Sequence, residues 1–271
     1  MNFKDRIGID LGRKSVLEDG IAWARSQGVK YIDCELDVAP NALETFAGKR
    51  GETVRESLRT HGIQLGLHTL SAVNVAEVSP FVRDAVDSYL RAYVDTAKML
   101  GAGWVVVHGG YHFTGDYESR RQASVERLKR TVAYAEKAGV QLLLENLNKE
   151  PDLAEVHYLV HNVEECRYYF DRIQSPNLGW AFTVNHAHIV PEGIEGHIQS
   201  LDLSRCGEVR LADCRGDREE HLRPGAGTID FAAMFRRIEG AGFRGHYMNA
   251  FGSLDDMLAG RDYLARCHEA A

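Results

Sequence analysis

The chain has 271 residues, of which 44% are hydrophobic and 26% charged, with a formal net charge of −7. That length suits one large α/β domain, and the acidic balance argues against a nucleic-acid binder, whose footprint is a basic face. Five widely spaced cysteines with no CxxC pair fit reduced thiols in a cytosolic protein. Met1 to Arg6 lacks the apolar core of a signal peptide, and no stretch approaches the roughly eighteen apolar residues of a membrane span, so a cytoplasmic chain without a membrane partner is expected.

Short apolar runs alternate with amphipathic helical stretches. Arg6–Leu11 is the first predicted strand and Val16–Gln27 its helix, stopped by Gly28. Tyr31–Leu36 is the second strand, followed by a helical stretch over Asn41–His61 broken around Gly48 and Gly51. Ile63–Leu70 carries His68, and Pro80–Leu100 places Phe81, Ala85, Tyr89, Tyr93, Ala97 and Leu100 at helical spacing behind a proline suited to a first turn. Trp104–His108 precedes Gly109-Gly110, and Glu118–Ala138 is the next helix. Val140–Glu145 is an apolar strand ending on a carboxylate, followed by a long loop to about Val163 and a helix over Glu164–Arg172. Strands over Leu178–Thr183, Glu208–Ala212 and His246–Ala250 alternate with helices over Glu192–Leu203, Asp230–Ala241 and Leu254–His268, and a Gly- and charge-rich loop spans Asp213–Gly227. Eight strand-then-helix units without a linker predict a single (β/α)8 TIM barrel over residues 1–271, with a doubly wound open sheet as the alternative.

In a barrel of this kind the chemistry sits at the C-terminal ends of the strands. An ionisable group ending a buried strand costs desolvation energy unless something pairs with it, which draws attention to Glu145. His68, His108, Thr183 with His186 and His188, Arg210 with Asp213, and Asn249 end other strands. The loop after strand seven adds Arg215, Asp217, Arg218, Glu219 and His221; Asp213 and Arg215, nearest the strand end, are the candidates there. A single histidine in such a place is more often structural, but histidines, a glutamate and an arginine on different strands of one mouth point to a functional site.

The motifs Leu67-His68, Val106-Val107-His108-Gly109-Gly110, Leu144-Glu145-Asn146, Trp180-Ala181-Phe182-Thr183-Val184-Asn185-His186, Val209-Arg210-Leu211-Ala212-Asp213 and Glu220-His221-Leu222-Arg223-Pro224-Gly225 together resemble the xylose-isomerase-like barrel superfamily of sugar isomerases and epimerases, inosose dehydratases and AP-endonuclease relatives. The resemblance implies one divalent cation held by Glu, Asp, His and Glu at the ends of strands five to eight. Here those positions read Glu145, Thr183, Arg210 and Asn249. Three carboxylates and an imidazole carry a formal −3, which suits a dication; the present quartet sums to zero, and a guanidinium stays protonated and cannot ligate. No cofactor is therefore expected at the usual place. A displaced zinc or manganese held by His68, His108, Glu145, His186 and His221, which resemble ligand positions of the multi-zinc endonuclease relatives, is the alternative.

The resemblance puts isomerisation or epimerisation of a small keto-sugar, polyol or hydroxy-keto acid first as the expected activity. Glu145 is the base and Arg210 the electrophile; His186 or His221 moves the second proton. His68, His108, Thr183, Asp213, Arg215 and Asn249 contact substrate. Elimination of water by a dehydratase or lyase begins with the same proton abstraction, so these residues do not separate the reactions. A non-catalytic sugar-binding barrel and a metal-dependent endonuclease are the other readings. The expected partner is a small molecule, with pairing into a homodimer through Tyr158, Tyr168 and Tyr169 left open.

Overall fold

The computed structural model describes residues 2–13 and 15–271. Parallel strands β1 (Ile7–Gly12), β2 (Tyr31–Glu35), β3 (Gln64–His68) and β4 (Trp104–Val107) lead into a short β5 (Tyr111–Phe113). They are followed by β6 (Gln141–Glu145), a second short strand β7 (Val156–Tyr158), β8 (Leu178–Thr183), β9 (Cys206–Leu211) and β10 (His246–Asn249). The barrel closes in the order β1-β10-β9-β8-β6-β4-β3-β2, as the eight-unit reading predicted. The outer helices are α1 (Leu17–Ser26), α2 (Lys49–His61), α3 (Arg83–Leu100), α4 (Tyr117–Ala138), α5 (Val163–Arg172), α6 (Val184–His188), α7 (Gly193–Ser200), α8 (Phe231–Gly240) and α9 (Leu254–Glu269). Among the described residues, no helix is long and apolar enough to cross a membrane, and all five cysteines are free.

The period of two along each strand decides what faces where. Leu142, Leu144, Val209, Leu211 and Tyr247 point outward and join the large core under the helices. Trp104, Val106, Leu143, Ala181 and Met248 form a smaller cluster inside the barrel, with Tyr31 against it. Gly66 makes that crowding possible: a Cβ there would lie 2.1 Å from Asp33 Oδ1 and 2.3 Å from the Trp104 indole nitrogen.

Two features at the mouth differ from the sequence expectation. The loop after Glu145 carries β7, which pairs antiparallel with β5, Tyr111 opposite Tyr158 and His112 opposite His157. Three-residue strands carry too little pattern to be read from sequence. This small sheet stands at the mouth, where Gly110, at a φ of 83°, turns the chain out of β4. The segment after Thr183, for which no helix was predicted, is the short helix α6; it buries His186 and leaves His188 beside Thr228.

Candidate functional site

The C-terminal mouth encloses a cleft of about 700 Å³. Its floor is Glu145, the last residue of β6, 4% exposed. One carboxylate oxygen, Oε2, lies 3.1 Å from His108 Nε2 and 3.2 Å from His68 Nε2. The two imidazole nitrogens are themselves 3.1 Å apart. Three donor atoms thus form a nearly equilateral triangle. The other oxygen, Oε1, accepts from the Thr183 hydroxyl and faces Arg210 Nε at 3.8 Å. β3, β6, β8 and β9 each contribute one of these side chains and His108 directly follows β4, which is why they converge.

The tautomers follow from the partners of the remaining ring nitrogens. Thr69 Oγ1 donates to the Val106 carbonyl at 3.0 Å, so it accepts from His108 Nδ1–H at 3.2 Å. His108 Nε2 then carries a lone pair aimed at a carboxylate oxygen and at another ring nitrogen. Such a set is repulsive unless a proton or a cation sits among the three atoms. Burial lowers the pKa of His108 further. Burial pushes Glu145 up, yet the adjoining imidazoles of His108 and His68 and the charge of Arg210 outweigh it and hold this carboxyl well below its ordinary value.

Beneath this floor Arg210, 2% exposed, is caged. Its Nη1 donates to Asp33 Oδ2 and, at 2.6 Å, to Glu208 Oε1, while Nη2 donates to Asp10 Oδ2 at 2.6 Å. Glu208 also meets His246 Nε2 at 2.8 Å. Burial raises Glu208, but the charges of Arg210 and His246 override it and bring its pKa down to about 2. Asp33 shares the same Nη1 with its second oxygen unpartnered, and burial together with the neighbouring Glu208 charge pushes it up.

A second group lines the wall. His186 donates from Nδ1 to the Asn146 carbonyl at 2.9 Å and His221 from Nδ1 to the Ala250 carbonyl at 2.8 Å. Both therefore present Nε2 to Glu219 Oε1, at 3.8 Å and 2.6 Å. The neighbouring imidazoles of His186 and His221 draw Glu219 below its ordinary value. His221 is raised: burial opposes, and the Glu219 contact prevails.

The structure brings together His68, His108, Glu145, Thr183, Arg210, His186 and His221, all on the cleft. Three sequence candidates are placed elsewhere. Asn249 is one residue out of phase: Met248 pairs with Arg210 and faces inward, so Asn249 faces α9 and donates to the Met257 carbonyl at 3.0 Å. Asp213 is likewise out of phase with Arg210, and accepts from the backbone amides of Cys214, Gly225, Gly227 and Ile229 at 2.9–3.1 Å. It ties down its own loop and does not contact substrate. Arg215 pairs with Glu220 outside the cleft. Asp213→Ala should cost about 2–4 kcal/mol by orphaning four amides of which only some can rehydrate, read from chemical denaturation midpoints. Unchanged stability would contradict the tie.

Sequence reasoning passed over Glu219, Asp10, Asp33 and Glu208. Glu219 had a signal in its i, i+2 spacing from His221, masked by the charges around it. The other three interrupt otherwise apolar strands at inward positions, in Ile9-Asp10-Leu11, Ile32-Asp33-Cys34 and Glu208-Val209-Arg210.

The quartet Glu145, Thr183, Arg210 and Asn249 does not fit a dication: a caged guanidinium fills its centre and Asn249 faces away. His68, His108 and Glu145 do fit one, as does the looser and more exposed set His186, Glu219 and His221. Ligating histidines characteristically fix their second nitrogen on a carbonyl or hydroxyl, as His108, His186 and His221 do here.

Comparison with known proteins follows the same lines. A family model described as xylose isomerase-like TIM barrel matches residues 21–266. An uncharacterized protein of Methanocaldococcus jannaschii is 27% identical over 189 residues, 68% of this chain and 62% of that protein, so the match spans less than two thirds of that relative. A probable endonuclease 4 of Mycobacterium leprae is 23% identical over 192 residues, 68% of this chain and 72% of that one. Among solved structures, a D-tagatose 3-epimerase-like protein superposes with a TM-score of 0.82 at 20% identity over 97% of both chains, a likeness of fold.

Proposed function

Because the chain belongs to the xylose isomerase-like TIM barrel family, we propose that it is a metal-assisted isomerase or epimerase of a small polyhydroxylated carbonyl compound, with its cation held by His68, His108 and Glu145. The observation that carries this reading is the triangle of Nε2, Nε2 and Oε2 atoms at 3.1–3.2 Å with the His108 lone pair turned into it. Those edges need open by only a few tenths of an ångström to reach the roughly 3.3–3.6 Å edge of a tetrahedral zinc site, whose metal–ligand bonds are about 2.0–2.2 Å. A cation there supplies Lewis acidity to a carbonyl or alkoxide oxygen.

The chain's own groups supply the rest. Thr183 and Arg210 occupy Oε1 of Glu145 and so present only Oε2 to the cleft. With its pKa held low, Glu145 is a better ligand than a base. Arg210, bound by three carboxylates, has no free edge for a substrate clamp and acts through its charge on Glu145. Proton transfer falls to the pair of His221 and Glu219 at the cleft wall, where a 2.6 Å contact lets the imidazole hold and release a proton within reach of solvent. Asn148, Asn185, Ser71 and Tyr158 line the remaining wall and can bond hydroxyls.

The test is elemental analysis of protein purified without chelator, followed by incubation with ketoses in D2O and NMR detection of deuterium beside the carbonyl. One tightly bound equivalent and metal-dependent exchange are expected. A metal-free preparation that cannot be reloaded would refute the assignment, and two equivalents would convert His186, Glu219 and His221 into a second centre.

Metal-dependent phosphodiester cleavage is the second reading, favoured by the two histidine–carboxylate groups on one cleft and by the similarity to endonuclease 4 proteins. Charge stands against it. Five carboxylates line the cleft against two guanidinium groups, a surface that repels a polyanionic strand. Incision of abasic DNA by metal-loaded protein would reverse this ranking.

A further inference from the structure

The geometry points to Arg13 as an anion receptor at the lip of the cleft, so that the substrate is a ketose carrying a carboxylate or a phosphate at the end remote from its carbonyl. This rests on the reading of the cleft as an isomerase or epimerase site, which it narrows to acidic sugars.

The local build begins in β1. Its ladder with β2 runs Ile9 to Ile32 and Asp10 to Asp33, then shifts so that Gly12 faces Cys34, which leaves one extra residue in β1. A bulge of this kind re-aims the side chains that follow it. Gly12, at a φ of 51°, completes the turn, and its amide donates to Asp10 Oδ1 at 2.7 Å. Asp10 is itself fixed through Oδ2 by Arg210. The chain therefore leaves the barrel on a braced turn, and Arg13 is the first side chain beyond it, directed over the cleft.

Glu35, the last residue of β2, then fixes the guanidinium. It accepts from Arg13 Nε at 2.5 Å. Nη1 and Nη2 have no partner among the described residues. A carboxylate on the Nε edge leaves the two terminal amino groups as a planar fork, the shape that takes a carboxylate or phosphate through two parallel hydrogen bonds. An exposed ion pair of this sort adds little stability, commonly under about 1 kcal/mol, so its placement is better explained by what the fork binds. The other guanidinium of the cleft, Arg210, has its terminal nitrogens consumed by Asp10, Asp33 and Glu208. Arg13 is thus the one cleft guanidinium, among the described residues, with donors to offer. It rises from β1, across the mouth from β6 and its Glu145, so a ligand held by the fork at one end can lay its carbonyl on the His68, His108 and Glu145 face at the other.

The test is titration calorimetry of the purified protein with fructose, fructose 6-phosphate and 5-ketogluconate, in the wild type, Arg13→Gln and Arg13→Lys. The two acidic ligands should bind at least about tenfold more tightly than fructose. Arg13→Gln should erase that preference while leaving the fructose affinity unchanged, and Arg13→Lys should keep part of it. The stronger of the two acidic ligands identifies the anion as phosphate or carboxylate. Equal binding of all three sugars, no binding by any, or a preference that survives Arg13→Gln overturns the proposal. Because the readout is binding, an Arg13-dependent preference without turnover would refute the isomerase reading alone, whereas turnover with the acidic and neutral ketoses bound equally well, in wild type and Arg13→Gln alike, would refute the receptor alone.

Discussion

Arg210→Met should unfold the barrel at neutral pH, or leave it at least about 3–5 kcal/mol less stable, and that deficit should shrink as the pH is lowered. The guanidinium is the shared partner of Asp10, Asp33 and Glu208, two of them fully buried. Methionine fills a similar volume but leaves three carboxylates facing one another. Their folded-state pKa values then rise above the unfolded ones, so their contribution favours the fold at low pH and is lost as pH rises through the folded values. Asp33, pushed up even with the arginine in place, would take the first proton. In the wild type Glu208 runs the other way. Its pKa of about 2 lies below the ordinary 4.5, so its contribution is full above 4.5 and is lost as pH falls toward 2. Chemical denaturation of both proteins at neutral pH and near about pH 5 should therefore narrow the gap between them at the lower value. A variant as stable as wild type at neutral pH, or a gap that widens on acidification, would show that the cage is not a balanced charge set.

Glu145→Gln should leave the fold intact and remove function. Glutamine keeps the volume and can still accept from Thr183, but it loses the charge that draws a cation to the two imidazoles. Metal content should fall below one equivalent under conditions that saturate the wild type, and turnover should drop by about 10³-fold or more, on the scale of several kcal/mol for Lewis-acid assistance. The fall should appear equally in kcat and kcat/KM, because the interaction lost is one made at the reacting oxygen. Retained metal with full turnover would remove Glu145 from both roles.

Much of this was legible in the amino-acid sequence, and what was not has physical reasons. The barrel follows from eight apolar runs alternating with amphipathic stretches, each run long enough to carry its own pattern. His68, His108, Glu145, Thr183 and Arg210 were readable as strand ends because a polar group closes each apolar run. Asn249 was misplaced because a strand end read one residue late turns a side chain to the other face; the inward position there is Ala250, which lines the cleft. The carboxylates around Arg210 were missed for a different reason. Asp10 and Asp33 meet Arg210 across separations of 200 and 177 residues, and nothing local announces such a meeting; Glu208, 2 residues away on the same face of β9, was the one local partner. Sequence alone also could not decide whether burial or neighbouring cations would set the Glu145 pKa, since that balance depends on distances between strands.

The Arg210 cage has one further consequence. Where a strand-end quartet of acids and histidine would recruit an ion from solution, this chain is translated with its central positive charge already attached. That charge is available to the buried carboxylates during folding whatever the cell's supply of metal. On the proposed reading, loading at His68, His108 and Glu145 would then be a separate, later event. Starvation for metal would leave an intact, idle protein, ready to be switched on when the ion returns, rather than an unfolded one to be degraded.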